Sequence, residues 1–324
     1  MYVLGLEGTA HTLGVGIIDG GFNCLSDVKK TYQPRQGGIN PRDASQYMAE
    51  NMQSTVIEAL SEAGIGLEDL SLVSFSQGPG LGPCLRTVAT AARTISLAHE
   101  KPILGVNHCV AHIEVGRVFG GVDKPLVVYV SGANTQVIRL NEGRYRVFGE
   151  TLDIGLGNML DKFGRYAGLP HPAGPKIEKL ARQGEKYIPL PYVVKGTDLS
   201  FSGLLTAAQQ KHQRGESLEH VCFSLQETSF SMLCEVAERA LAHLKADSVL
   251  LTGGVGNNKR LQEMLILMAS EHDAQFTHPK GFMGDNGTMI AIAALKMHKA
   301  GVKMTLEDTQ IESKQRTDDI KISW

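Results

Sequence analysis

A chain of 324 residues is long enough for two domains, each with its own core. At 42% apolar and 20% charged it has the make-up of an ordinary globular chain, and a formal charge of −2 excludes a general coat of basic residues for nucleic acid, though not a local basic patch or basic partners. Five cysteines (Cys24, Cys84, Cys109, Cys222 and Cys234) form no CxxC pair, which excludes a zinc knuckle or disulfide framework and fits a reducing cytosol.

The first residues run directly into a strand pattern, with no charged leader and no cleavage site. No apolar run reaches membrane-spanning length, so a cytoplasmic location without membrane contact is expected. Residues 2–6 read as a buried strand and 13–19 as its hairpin partner. Between them, Glu7-Gly8-Thr9-Ala10-His11-Thr12 is a tight turn, which either offers amides and hydroxyls to an anion or simply closes the hairpin. Residues 34–41 are a loop. A helix follows over about 43–63, with Ala44, Tyr47, Met48, Met52, Val56 and Leu60 at helical spacing. Residues 70–76 are a strand. The turn Gln77-Gly78-Pro79-Gly80-Leu81-Gly82-Pro83 then opens a helix over 85–99. It is either an anion site or a junction where close packing needs glycine, and it is not a Walker loop.

A short strand at 103–106 delivers Asn107-His108-Cys109-Val110-Ala111-His112. In a helix, His108 and His112 lie one turn apart on one face and can converge on a metal ion. The plain alternative is two half-buried histidines. Cys109 stands where the HExxH motif has its general base, so a metallopeptidase is a weak reading.

Residues 125–130 form a strand with Tyr129 near its end, followed by Ser131-Gly132-Ala133-Asn134-Thr135 and a returning strand at 136–140. This unit echoes residues 2–19 and points to an internal duplication. Helices are expected over 156–167 and 175–182. Asp161, Lys162, Arg165 and Glu178 on them read, without further context, as a solvated charged face. Residues 188–202 are irregular or hairpin-like, and 216–244 are mainly one helix. A strand at 249–252 enters Gly253-Gly254-Val255-Gly256-Asn257-Asn258 and a helix at 259–270, a junction suited to a nucleoside at a helix start. Asp285 precedes a last helix over 289–300 and also reads as its N-cap. His108, His112, Tyr129 and Asp285 are four potential ligands beside glycine turns, a set that suits iron or zinc.

The stretches GLEGTAHT, SQGPGLGPCLR, GVNHCVAHIE, YVSGANTQV, GETLDIGLGNMLDKFGR, DLSFSGLLTA, LLTGGVGNN and DNGTMIA resemble the universal tRNA threonylcarbamoyladenosine family. EGTAH and VNHxxxHIE resemble its archaeal and eukaryotic branch, the catalytic subunit of the KEOPS complex. The resemblance implies an α/β actin/hexokinase-type fold, with two duplicated lobes around a nucleotide and metal cleft. The lobes are expected at 1–124 and 125–299, with a mainly helical insertion at about 151–215 and a tail at about 300–324 packing on the first. It implies transfer of an L-threonylcarbamoyl group from threonylcarbamoyl-AMP to N6 of adenosine 37 in tRNAs reading ANN codons. By motif matching, His108, His112, Tyr129 and Asp285 would hold one divalent metal, iron ahead of zinc. Tyr129, Val130, Ser131, Gly132 and Ala133, with Asp161, Gly174, Glu178 and Asn258, would hold the adenine nucleotide. Besides tRNA, the implied partners are a separate small protein kinase/ATPase, a dimeric adaptor and a further small subunit. His11, beside the first turn, is the candidate for proton transfer or substrate placement.

Ala133 and Ala173 stand where the family usually shows glycine, and alanine disfavours φ > 0. Two other readings compete. One is a phosphotransferase of the same fold, although Glu7 and His11 stand where its first hairpin is expected to carry a magnesium-binding Asp and a base. The other is a nucleotide-binding scaffold whose partners do the chemistry.

Overall fold

The computed structural model describes residues 1–34 and 38–324, so the loop expected at 34–41 lies partly outside the described residues. The chain forms two compact units. One comprises Met1–Val118, Glu142–Tyr145 and Asp285–Trp324; the other comprises Phe119–Asn141 and Arg146–Gly284. Among the described residues, no helix is long and apolar enough to cross a membrane.

The first unit begins with β1 (Tyr2–Glu7), β2 (Thr12–Asp19) and β3 (Cys24–Thr31), and continues through α1 (Pro41–Ala63), β4 (Leu70–Gly78), α2 (Gly82–Ala98), β5 (Ile103–Asn107) and α3 (His108–Gly120). Its sheet has the order β3-β2-β1-β4-β5: the first three strands are an antiparallel meander, and β4 and β5 run parallel to β1. Helix α1 starts where Asn40 accepts from the Arg42 amide, with Pro41 in the first turn, and ends at Gly64 with φ 68°.

The second unit contains β6 (Leu126–Val130), β7 (Thr135–Asn141), β8 (Arg144–Glu150, whose first two residues are counted with the first unit), α4 (Leu156–Tyr166), α5 (Gly174–Ala181), the two-residue strands β9 (Val194–Lys195) and β10 (Asp198–Leu199), α6 (Ser202–Gln213), α7 (Leu218–Leu244), β11 (Ser248–Thr252), α8 (Lys259–Glu271) and β12 (Gln275–Thr277). Its sheet order is β12-β11-β6-β7-β8. Strands β6 and β7 are antiparallel, whereas β11 and β12 run parallel to β6. Read from the other edge, this is the strand order of the first sheet, so the duplication covers both whole sheets. Helix α7 is buried along much of its length and anchors a core that takes in Leu156, Phe163, Phe201 and Leu233. Asp153 joins the insertion to this core region. Its carboxylate accepts from the amides of Phe201 and Ser202 and from the Ser200 hydroxyl, and so caps α6 from a distance.

The last helix, α9 (Gly287–Lys299), belongs to the first unit, not to the second lobe as expected from the sequence. The reason is steric. Gly5 and Gly16 are cross-strand partners on β1 and β2. A Cβ at Gly5 would lie 2.2 Å from the Gly287 carbonyl oxygen, and one at Gly16 would lie 2.2 Å from the Thr288 nitrogen. The helix start therefore rests on bare backbone. The expected helix at 85–99 begins at Gly82 instead, because Pro83 suits a first helical turn. Strands β3, β8 and β12 and helix α6 had no counterpart in the sequence reading.

Two outcomes follow. Gly16→Ala should lower stability by about 3 kcal/mol or more, since the added methyl meets main chain that cannot rotate away; urea unfolding reads this. Asp153→Ala should cost about 1 kcal/mol through the lost cap, with α6 amides exchanging faster in hydrogen exchange.

Candidate metal and nucleotide site

The first unit brings three of the four proposed donors together. Strand β5 ends at Asn107, and α3 begins at once with His108 and His112 on one face. Their rings meet edge to face at 4.7 Å between centroids. Asp285 precedes α9, and its Oδ1 lies 3.2 Å from His112 Nε2 and 3.6 Å from His108 Nε2. One donor atom from each of the three falls within 4.8 Å of the others, so a single ion could be shared. Asp285 is not the helix cap. Asn286 fills that role by accepting from the Met289 amide, which leaves the Asp285 carboxylate for the histidines.

A second carboxylate lies behind His108. Glu7, fully buried, places Oε2 3.1 Å from His108 Nδ1. Its Oε1 accepts from the Thr9 amide at 2.9 Å and the Thr9 hydroxyl at 2.7 Å. Burial alone would push the His108 imidazole down; the Glu7 carboxylate, by charge and hydrogen bond, and then Asp285 take it up to about 9. Burial dominates at His112 and lowers it, against the pull of Asp285. Burial would raise Asp285, but the His112 hydrogen bond and the charges of His108, His112 and His11 hold it below the usual carboxylate range. His11 thus acts on the site electrostatically from the turn before β2, where its carbonyl accepts from Tyr32.

The same two helices are braced lower down. Glu114, fully buried, accepts from Arg117 at 3.0 Å, from the Tyr145 hydroxyl, and from Lys296 on α9 at 2.6 Å. Arg117 and Tyr145 are buried too. Two cations share one carboxylate, and the phenol completes its hydrogen bonding.

The two early glycine turns are packing junctions. The Gly8 amide donates to the Ser76 hydroxyl and the Thr9 amide to Glu7. In the second turn, the Gly80 amide donates to the Ser313 carbonyl and the Leu81 amide to the Thr9 carbonyl. The tail strengthens this junction: Gln77 Nε2 donates to the carbonyls of Asp308 and Gln310, and Asn107 Nδ2 donates to Gln315.

The second unit holds the residues proposed for the nucleotide. Tyr129 is fully buried near the end of β6, paired with Gln136 on β7 and Thr252 on β11. After it, the Ser131–Asn134 turn receives the start of α4: the Gly157 amide donates to the Ser131 carbonyl and the Asn158 amide to that of Gly132. Gly132 and Ala133 are exposed. Gly253, at φ 94°, lies so close to β6 that a Cβ would sit 2.3 Å from the Val130 carbonyl oxygen. Asn258 caps α8, accepting from the amides of Arg260 and Leu261, while its Nδ2 donates to buried Gln226 at 2.9 Å. Glu178 accepts from the Lys259 amide at 3.1 Å, at the same helix start. Asp161 accepts from the Ala173 amide at 2.7 Å and so sets the start of α5, where Gly174 has open space at its missing Cβ. Neither alanine replacement strains the chain. Ala173 is helical, at φ −82°, and Ala133 lies outside the left-handed region.

Glu114 and Gln226 were not singled out from the sequence, and Glu7 entered only as a departure from the phosphotransferase pattern. A weak signal existed for Glu114, an acid three residues before Arg117 on an otherwise apolar helix. None existed for the pairing of Glu7 with His108, which lies 101 positions away.

A family model described as tRNA N6-adenosine threonylcarbamoyltransferase matches residues 23–292. The chain is 56% identical over 327 residues to a probable bifunctional tRNA threonylcarbamoyladenosine biosynthesis protein of Methanosarcina acetivorans, matched over its whole length, yet it spans only 59% of that relative. It is 51% identical over 326 residues to a tRNA N6-adenosine threonylcarbamoyltransferase of Thermococcus sibiricus, with 100% of both chains covered. Among solved structures, HypF from T. kodakarensis matches with a TM-score of 0.67 at 14% identity, over 96% of this chain and 49% of that one. A ROK hexokinase from Thermus thermophilus matches with a TM-score of 0.50 at 16% identity, over 92% and 100%. With the repeated sheet order, these likenesses give the actin/hexokinase-type α/β fold that the sequence led us to expect.

Replacing Glu114 with Gln should destabilise the protein by about 3 kcal/mol, because Arg117 and Lys296 then lack a counter-charge; chemical denaturation measures it. Chelator-treated protein should take up one equivalent of a divalent transition metal, and His112→Ala should abolish that uptake; elemental analysis after gel filtration decides.

Proposed function

Because the chain belongs to the tRNA N6-adenosine threonylcarbamoyltransferase family, we propose that it transfers an L-threonylcarbamoyl group from threonylcarbamoyl-AMP to N6 of adenosine 37 in tRNAs that read ANN codons. The supporting observation is the convergence of His108, His112 and Asp285, three metal-competent donors in a chain of this family. The donor set fits a divalent transition metal: two imidazoles and a carboxylate, with no thiolate among them. We assign iron as the resident ion, with zinc as the competitor. When bound, the ion would act as a Lewis acid towards the carbamoyl group.

The chain's own residues have separable tasks. Adenine N6 is a poor nucleophile because its lone pair is delocalised into the ring, so positioning and leaving-group stabilisation must supply much of the rate. In the second unit, Asp161 and Glu178 are each fixed by a backbone amide at a helix start, and a carboxylate so held keeps acceptor capacity for ribose hydroxyls. The exposed Gly132-Ala133 backbone and Gly174 give close approach to the adenylate, and Asn258 holds the α8 start in shape for it. His11 is assigned to proton transfer from N6 or to substrate placement. Tyr129 is assigned to the substrate side of the second unit.

The arrangement weighs against a phosphotransferase. In the first hairpin the amides of Gly8 and Thr9 are already bonded, and the buried Glu7 carboxylate would repel a phosphate. We further assign the chain as the catalytic subunit of a KEOPS-type assembly, with tRNA, a small kinase/ATPase, a dimeric adaptor and a further small subunit as partners. With a charge of −2, the chain would draw part of its tRNA affinity from basic partners.

The test is a transfer assay with unmodified tRNA, threonine, bicarbonate, ATP, an adenylate-forming enzyme and the candidate partners, read by nucleoside mass spectrometry. The expected result is modified adenosine with the wild-type chain and a loss of at least about 100-fold with His108→Ala/His112→Ala. Transfer that persists undiminished in that variant would return the chain to a scaffold role. His11→Ala should slow transfer by about 100-fold without loss of bound metal, measured in the same assay.

A further inference from the structure

We propose that Glu7 is the positioning residue of the metal centre: its carboxylate holds His108 through Nδ1 and so commits Nε2 to the ion. This rests on the metal-centre reading above and adds a residue to it.

The geometry is specific. An imidazole has two nitrogens, and the one that bears hydrogen is set by the partner of that hydrogen. Glu7 Oε2 stands 3.1 Å from His108 Nδ1, while Nε2 is turned towards Asp285 Oδ1 at 3.6 Å. A carboxylate only accepts, so the Nδ1 position must carry hydrogen, and the lone pair falls on Nε2. Glu7 cannot swing away. Its other oxygen is held by both the amide and the hydroxyl of Thr9, and the side chain is fully buried. Thr9 Oγ1 also lies 3.4 Å from His108 Nδ1, so the turn grips the ring from two sides.

The turn is itself fixed. The Gly8 amide is bonded to Ser76, and the Thr9 carbonyl accepts from Leu81. A Cβ at Gly80 would lie 2.7 Å from that same carbonyl oxygen. Orientation therefore passes from the β4 end through the EGT turn to His108. A fully buried acid with no ligand of its own has a task on this account: it sets the tautomer and increases the basicity of the nitrogen facing the ion.

The experiment uses the full chain, stripped with chelator and titrated with Zn²⁺ against a chromophoric competitor. Glu7→Ala should bind about 10- to 100-fold more weakly than wild type. Glu7→Gln, nearly isosteric, should lose less, because its amide oxygen can still accept from Nδ1. Long-range ¹H–¹⁵N spectra of the zinc-loaded protein give a readout that a merely structural role would not move. Wild type and Glu7→Gln should show His108 with hydrogen on Nδ1 and metal on Nε2, and Glu7→Ala should show a mixture. Thermal melting and far-UV circular dichroism report whether each variant is folded. If Glu7→Ala does not fold, Thr9→Val, which removes one support of the carboxylate, should still weaken zinc by several-fold. Folded variants with zinc affinity within twofold of wild type and an unchanged tautomer would overturn the proposal. Wild-type protein that binds no zinc would instead remove the metal centre itself, a different failure seen before any variant is made.

Discussion

Backbone against backbone is the contact on which the first unit depends. Gly5, Gly14 and Gly16 form a bare track on β1 and β2, and Gly287 lies upon it with its own missing Cβ 2.0 Å from the Gly16 nitrogen. A helix normally stands off a sheet by the depth of its side chains. Here it does not, and the residues just before α9 are drawn down to the level of the strand ends. Asp285 is one of them. The same strand ends carry Glu7 and, through β5, His108. Local glycine chemistry at one spot thus decides whether a carboxylate from near the far end of the chain can reach two histidines from its first half.

Around that contact, polar groups are buried but answered. Glu7 has Thr9 and His108; Glu114 has Arg117, Tyr145 and Lys296. Each set links segments distant in the chain, and each involves a side chain whose burial alone would be costly. The second unit works differently. Its polar side chains mostly hold helix starts: Asp153 for α6, Asp161 for α5, Asn258 for α8. Exposed backbone is left at the turns between.

The sequence was most legible where a local period or spacing carried the signal. His108 and His112 are four apart, and a helix makes them neighbours whatever else the chain does. The hairpins at β1–β2 and β6–β7 declared themselves by alternation around a glycine turn. Strand β3, CLSDVKKT, did not, because an edge strand mixes lysines with few buried positions. Helix α6 was hidden because its first amides are capped by Asp153, some fifty residues earlier, rather than by a local Ser or Asp. The bland reading of Asp285 as a cap was defeated by its neighbour Asn286, a distinction of one position that propensities do not resolve. The glycines at 78 and 80 read equally well as an anion cradle or as close packing, and tail residues far off in sequence decide it: the Gly80 amide donates to the Ser313 carbonyl, and a Cβ at Gly78 would lie 1.9 Å from the Glu312 carbonyl oxygen.

The repeated strand order has a sequel. The glycine pair Gly5 and Gly16 sits third from the end of β1; the cross-strand pair third from the end of β6 is Val128 with Val137. Two branched side chains there are fully buried in the core of the second unit. The duplicated halves are therefore no longer equivalent copies. One gave up side chains and gained a site where main chains touch; the other kept a filled core and left its turns open. Valines at 5 and 16 would make the two pairs alike, and their side chains would occupy the space where the start of α9 now touches the strands.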